Sequence, residues 1–290
     1  MADVVKAAPS MYDDICELLL GFSEVQVTPA QWRALLEADW DATGRGPGYV
    51  LVDGHRIAGF VGTLYKDRWL AGRLVTTCNL ATWIVRRDFR DEPANRVDVV
   101  RLGHAPFQDR DPDVTFTLFT PAEATYAALV RSGFQDLDVV IRVVPACRAI
   151  PVSRPRLRFV ETDEIASHLD DRQAVLAEDH RAYGLLQLLF VDGTERCWVV
   201  FRYSQLLKVT RVDHVSNPAL FVRHEAEVLR RIGEMAELDT VCILPRLVDD
   251  LPLALGYDHP LVRQRPAFRS RLVGRKAIDH LYSELAVVPI

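Results

Sequence analysis

The stretch Tyr49-Val50-Leu51-Val52-Asp53-Gly54-His55-Arg56-Ile57-Ala58-Gly59-Phe60-Val61-Gly62 sets two β-rich runs on either side of a tight turn. Asp-Gly between such runs is a strong local hairpin signal, because glycine takes up the positive φ that the turn demands. The second run continues to Tyr65, and residues 74–85, rich in β-branched side chains, predict a further long strand that ends at Arg86-Arg87-Asp88. Before the hairpin, Ile15, Leu18, Leu19 and Phe22 recur at helical spacing behind Asp13 and Asp14. A second short helix is expected after Thr28-Pro29, an N-cap followed by proline at the first helical position, carrying Trp32, Leu35 and Leu36. After the long strand come an expected helix over 95–104, a short strand over 114–119 and a helix over 121–132 closed by Gly133. A strand over 137–144 follows.

Residues 145–155 hold three prolines and break all periodicity, which marks a boundary. Beyond it the plan recurs. Residues 185–191, Asp192-Gly193 and residues 197–203 predict a second hairpin, its turn 139 positions after the first. A strand over 209–215 leads to Ser216-Asn217-Pro218, which opens an amphipathic helix through Leu220, Val228, Leu229 and Ile232. A strand over 240–244 and a final helix carrying Ile278, Leu281 and Leu285 complete the series. A period this long indicates domain duplication rather than a solenoid. The expected division is 1–148, a linker over 149–156, and 157–290.

Composition is consistent with two packed domains: 290 residues, 49% hydrophobic and 26% charged. A net charge of −5 without a dense basic tract argues against nucleic acid or an acidic membrane as partner. The five cysteines are scattered in apolar contexts such as Val241-Cys242-Ile243, as expected of buried thiols in a reducing compartment rather than a zinc site. Residues 1–6 lack the apolar run of a signal peptide, and no stretch approaches the roughly 20 apolar residues that span a bilayer, so a cytoplasmic location is expected.

In the first half, the Asp53-Gly54 hairpin with Ile57-Ala58-Gly59-Phe60-Val61-Gly62, the strand Asn79-Leu80-Ala81-Thr82-Trp83-Ile84-Val85 with its arginine-rich exit, and the run from Ala124 to Phe134 resemble, in that order, the GCN5-related N-acyltransferases. The resemblance covers most of residues 10–145 and is weaker in the second half, which it implies is a degenerate repeat closing one side of a pocket. It implies an α/β protein of two tandem domains of this type, each a mixed, mostly antiparallel sheet flanked by helices. It also implies an acyltransferase that moves an acyl group from acetyl-CoA or another acyl-CoA to the amine of a small molecule, without a metal. In such a fold two neighbouring parallel strands splay, and the freed backbone of the first binds the pantetheine arm. Here that strand is Leu80, Ala81, Thr82, Trp83, Ile84 and Val85. The next helix N-terminus would hold the pyrophosphate.

Two departures stand out. Family members cradle the phosphates with a glycine-bearing loop, and the stretch here is Arg90-Asp91-Glu92-Pro93-Ala94-Asn95, where Pro93 removes a donor and two acids add negative charge. Arg86, Arg87, Arg90 and Arg96 either pair directly with phosphate or form a solvated strand end. The tyrosine that family members use to protonate the departing thiolate is replaced by Leu129; Tyr126, one turn earlier, is the substitute candidate against a plain packing role. A general base would be a carboxylate or relayed water near the strand centre, with Asp67 the weak candidate against a surface turn role. His104, His214 and His224 are isolated, Ser204 and Ser216 lack a nucleophile-elbow context, and the five tryptophans suit core packing. The competing reading is a non-catalytic relative that binds a ligand or partner. A donor carried by acyl carrier protein would relax the need for the phosphate loop.

Overall fold

The computed structural model describes residues 2–22, 27–38, 40, 44–108, 112–152, 155–204, 207–262 and 265–288. Residues 153 and 154 of the expected linker lie outside them. The strands in chain order are β1 (Asp3–Lys6), β2 (Gly48–Asp53), β3 (Arg56–Leu70), β4 (Arg73–Val85), β5 (Thr115–Leu118), β6 (Gln135–Asp136), β7 (Val140–Val144), β8 (Arg158–Val160), β9 (Leu186–Asp192), β10 (Glu195–Ser204), β11 (Val209–Val215), β12 (Val241–Ile243), β13 (Tyr257–Pro260) and β14 (Ala267–Arg269). The α-helices are α1 (Tyr12–Leu19), α2 (Pro29–Leu36), α3 (Arg87–Arg90), α4 (Arg96–His104), α5 (Glu123–Arg131), α6 (Ile165–His168), α7 (Asp171–Asp179), α8 (Pro218–Arg223), α9 (Glu225–Ala236) and α10 (Glu284–Val287). No helix among the described residues is long and apolar enough to cross a membrane.

The chain forms two compact units, each around its own seven-stranded mixed sheet. The first takes residues 1–135 together with 267–273 and 282–288; the second takes 136–266, 274–281 and the last two positions. The first sheet runs β1-β2-β3-β4-β5-β14-β6 and the second β13-β7-β12-β11-β10-β9-β8. Both hairpins form where the sequence expects them. Gly54 (φ 61°) and Gly193 (φ 60°) each take the first of two central turn positions, between the closing pairs Asp53–Arg56 and Asp192–Glu195. Thr28 caps α2 through a reciprocal box with Gln31.

Four features depart from the sequence expectation. The strand at the end of the first half, β7, joins the second sheet, where it pairs with β12 and β13, and Ile141 and Val144 enter the second core. Conversely β14, near the end of the chain, pairs with β5 in the first sheet. There the Arg269 guanidinium lies over Phe107, Phe116 and Phe134 at 4.7, 5.0 and 5.3 Å. The expected long helix after Asn217 breaks at His224, whose Nε2 lies 2.8 Å from Asp192 Oδ2. The expected terminal helix is a 3-10 turn (Arg275–Ala277) and the single turn α10, separated by extended Ile278 and by Tyr282 at φ 60°. Ile278, Leu281 and Leu285 are buried as anticipated, but not along one helix.

In the second core Phe190, Phe201, Val212, Phe221, Leu229 and Ile232 are wholly enclosed. Each such side chain contributes about 1.5–3 kcal/mol relative to exposure.

Candidate functional site

In the first unit β4 is straight neither in register nor in partnership. Against β3, Val61 pairs with Trp83 and Gly62 with Ala81, so Thr82 is the extra residue of a bulge, with φ 50°. Gly62 permits it: a Cβ there would lie 2.5 Å from the Ala81 carbonyl oxygen and 2.8 Å from Thr82 Oγ1. The Thr82 hydroxyl is enclosed and has no hydrogen-bond partner among the described residues. On its other edge β4 pairs in parallel with β5 only from Thr77–Thr115 to Asn79–Thr117, whereas β4 runs on to Val85. From Leu80 onward the backbone groups facing away from β3 therefore have no strand partner among the described strands. The two strands form a fork, and its unpaired arm comprises the residues for which the family resemblance implies contact with a pantetheine arm.

The side chains follow this division. Leu80 packs with Cys78, Phe116, Leu129 and Phe134, while half-buried Trp83 and buried Val85 pack with Phe89, Leu102 and Ala105. Thr82 and the bulge lie between these two clusters. Gly103 brings α4 onto the strand, since a Cβ there would meet the Trp83 ring at 2.4 Å. Ile84 is half-buried.

A polar cluster closes the base of the fork. Asn79 Nδ2 donates to the Thr117 carbonyl and hydroxyl oxygens at 3.4 and 3.3 Å, bridging β4 and β5 at their last pair. Asn79 Oδ1 accepts from the Glu284 backbone N–H at 3.1 Å, and Thr120 Oγ1 donates to Glu284 Oε1 at 3.0 Å. Glu284 is 1% exposed. The segment that delivers it is anchored two residues earlier. Tyr282 stacks edge-on to Trp40 at 5.1 Å and has Lys66 Nζ and the Arg68 guanidinium over its ring at 5.0 and 4.9 Å. No sequence signal marks this carboxylate, which stands 205 positions from Asn79 within an apolar run.

No family model matches this chain, and no curated protein does. Solved structures do. A GCN5-related N-acetyltransferase from Anabaena variabilis superposes with a TM-score of 0.57 at 14% identity, covering 93% of this chain and 72% of its own. One from Kribbella flavida gives 0.55 at 17%, covering 93% and 71%. One from Sphaerobacter thermophilus gives 0.54 at 13%, covering 92% of this chain and 95% of its own. The chain has the fold of the GCN5-related N-acetyltransferases.

Against the glycine cradle expected of that fold, the turn after β4 is filled differently. Arg87–Arg90 coil into the single turn α3, and Pro93–Asn95 form a 3-10 turn running into α4. Five backbone N–H groups of this turn are engaged internally: Arg86 to Ala58 O, Phe89 to Asp88 Oδ1, Arg90 to Arg86 O, Asp91 to Arg87 O and Asn95 to Glu92 O. The Asn95 side chain, a sequence candidate for the cofactor, donates to Phe89 O at 3.0 Å. In the first turn of α4, buried Asp98 accepts from Ala2 N at 3.0 Å and pairs with Arg101, so a carboxylate already sits at that positive helix end. The arginines pair with neighbouring acids: Arg86 and Arg56 with Asp88 at 3.6 and 3.1 Å, Arg87 and Arg90 with Asp91 at 3.2 and 3.4 Å. Exposed pairs of this kind contribute about 0–1 kcal/mol each.

The remaining candidates separate. Tyr126 is half-buried with Phe107 against the cluster of Leu80, Phe116 and Leu129. Asp67 accepts from Thr76 Oγ1 at 2.6 Å across the β3–β4 pair and lies 3.6 Å from Arg45, a surface cross-strand arrangement. His214 meets Asp279 at 2.9 Å and His224 meets Asp192, both in the second unit. Among the described residues no group of three His, Cys, Asp or Glu could hold a metal ion.

Proposed function

We propose that this protein transfers an acyl group from an acyl-CoA thioester to the amine of a small molecule, with the donor bound at the first unit. The observation that carries this reading is the fork: a bulged β4 whose residues 80–85 leave the β5 ladder and offer unpaired backbone groups to an extended, amide-bearing arm. Leu80, Thr82, Trp83, Ile84 and Val85 line the arm, Arg86 and Arg90 meet the pyrophosphate by charge pairing, and Asn95 holds the turn between them. Acyl transfer demands orientation, a deprotonated amine and donors for the oxyanion more than any single side chain, so the loss of the family tyrosine is tolerable. Acetyl-CoA is the simplest donor. An acyl carrier protein would present the same pantetheine arm without the adenosine pyrophosphate. Five free, buried cysteines support a reducing, cytoplasmic setting.

A second reading, a binding protein without turnover, is favoured by the internally engaged amides of Arg86, Phe89, Arg90, Asp91 and Asn95. Calorimetry and thermal shift against acetyl-CoA, longer acyl-CoAs and free CoA separate the two. Binding with CoA release in the presence of amines supports transfer, binding without release supports the second reading, and no binding by any thioester sinks both CoA-dependent versions. Arg90→Ala is expected to weaken CoA binding several-fold, and unchanged affinity removes that residue from the site.

A further inference from the structure

We propose that the second unit holds a second fork of the kind that receives the donor in the first, and that residues 278–281 of the chain occupy it as a fixed internal ligand, so that each chain binds one thioester. The count of one rests on the acyltransferase reading above; the sealed fork rests on the second unit alone. There β11 repeats the two irregularities of β4. Against β10, Val200 pairs with His214 and Phe201 with Val212, so Asp213 is the extra residue of a bulge, as Thr82 is in β4. On its other edge β11 pairs in parallel with β12 only at Thr210–Val241 and Arg211–Cys242, whereas β11 runs on to Val215. A second arm therefore leaves its ladder at Val212.

This arm is covered by residues 278–281, a strap that belongs to no strand of the sheet. The His280 N–H donates to the Asp213 carbonyl oxygen at 3.1 Å. The ring of the same residue sets Nδ1 2.9 Å from Asp213 Oδ1, which also accepts from Arg211 Nε at 2.7 Å. One position earlier on the strap and one later on the arm, Asp279 Oδ2 meets His214 Nδ1 at 2.9 Å. Consecutive strap residues thus grip consecutive arm residues in antiparallel order, 279 to 214 and 280 to 213, much as an added strand reads a sheet edge. Asp279 Oδ1 in turn accepts from the Leu281 N–H at 3.1 Å, which fixes the strap's own turn. Ile278, Asp279, His280 and Leu281 are all buried. Enclosing the Asp213 carboxylate is costly without donors, and the strap supplies that residue with both a backbone and a ring donor. The helix after β11 is satisfied internally as well: Asn217 Oδ1 accepts from the Leu220 N–H at 3.1 Å, and Asn217 Nδ2 donates to the Arg196 carbonyl at 3.3 Å. A pantetheine arm would have to displace the strap to reach the bulge of β11.

The test combines calorimetry of the full chain with acetyl-CoA and hydrogen exchange read by mass spectrometry. One equivalent of acetyl-CoA is expected, and peptides covering 278–281 and 212–215 are expected to exchange as slowly as those of β9 and β10, with or without acetyl-CoA. His280→Ala removes the ring donor and is expected to speed exchange of both peptides together by about tenfold or more, while residues 186–192 stay protected. His280→Asn, whose amide can still donate to Asp213, is expected to stay within about threefold of wild type. Two equivalents of acetyl-CoA overturn the sealed fork and leave the acyltransferase reading intact. Wild-type exchange at 278–281 as fast as that of an exposed loop overturns it too, as does a His280→Ala change at 278–281 with none at 212–215. No binding of acetyl-CoA, with both peptides protected, overturns the acyltransferase reading and the count of one while the sealed fork stands.

Discussion

Lowering the pH from 8 to 4 is expected to strip stability from the second unit through one residue, His280. Its ring is fully buried, with Nδ1 2.9 Å from Asp213 Oδ1, an oxygen that also accepts from Arg211 Nε at 2.7 Å. Burial, with Arg246 and Arg211 nearby, outweighs the attraction of Asp213 and pushes the imidazole from 6.5 down to about 4. The folded protein therefore keeps His280 neutral in a range where the unfolded chain binds a proton. Stability conferred by the neutral ring is intact above pH 6.5 and falls as pH drops toward 4, below which both states are protonated and the loss levels off. At about 1.36 kcal/mol per pH unit, the gap between 6.5 and about 4 corresponds to ~3 kcal/mol. Burial works to raise the Asp213 carboxyl, but Arg211 and His280 together hold it below the usual carboxylate range, so its own loss begins only in stronger acid. The assay is a set of urea melts at half-unit pH intervals on the wild type and on His280→Asn, whose amide can still donate to Asp213. Asp138, which burial pushes up, titrates in both proteins and cancels in the difference. The difference between the two curves should shrink by ~3 kcal/mol from pH 7 to pH 4. Parallel curves would refute a neutral buried imidazole.

Three further outcomes follow from packing. Gly62→Ala forces a methyl against Ala81 O and Thr82 Oγ1; it should cost about 1–3 kcal/mol in urea melts and abolish acyl-CoA binding by calorimetry, and normal affinity would detach the bulge from the site. Asp138→Asn removes the carboxylate 3.2 Å from the fully buried Arg246 guanidinium and should destabilise by about 3–5 kcal/mol, whereas Asp138→Leu with Arg246→Met should recover most of that in the same melt. Arg269→Ala removes the cation over three phenylalanine rings and should lower stability by about 2 kcal/mol, with Arg269→Lys restoring only part because a compact ammonium cannot stack on several faces at once.

What local sequence could reveal was whatever is encoded within a dozen residues. The two hairpins are legible because glycine at a positive-φ turn position between β-rich runs has few other uses, and α2 because Thr28 and Gln31 reciprocate across one turn. The long strand β4 is legible from its composition, but its bulge is not, since Thr82 is as ordinary a strand residue as Thr76 or Thr77; only the cross-strand Gly62 hints that something crowds it. Strand identity and strand partnership are separate facts. Residues 140–144 announce a strand, yet the choice between two sheets is made by Ile141 and Val144 fitting the second core, which no period of two encodes. β14 is three residues long and is drawn to β5 by Arg269 and its aromatic neighbours, contacts that span over 130 positions.

The candidate site divides along the same line. Its donor half, residues 80–86 and the arginine turn, is contiguous and was readable as a resemblance, together with the departures that fill the turn with α3. Its acid–base half has no such contiguous signature. Asp67 lies on the surface of the β3–β4 pair, and Tyr126, on α5, is half-buried against the cluster of Leu80, Phe116 and Leu129. Glu284, at the base of the fork, lies in a segment where Ile278, Leu281 and Leu285 mimic helical spacing while the backbone passes from a 3-10 turn through extended Ile278 and Tyr282 at φ 60° to the single turn α10. Apolar spacing reports burial faithfully there and conformation poorly, because a segment enclosed on all sides has no solvent face to impose a period. The buried polar residues of this segment, Asp279, His280, Ser283 and Glu284, are the ones that apolar patterning leaves unexplained.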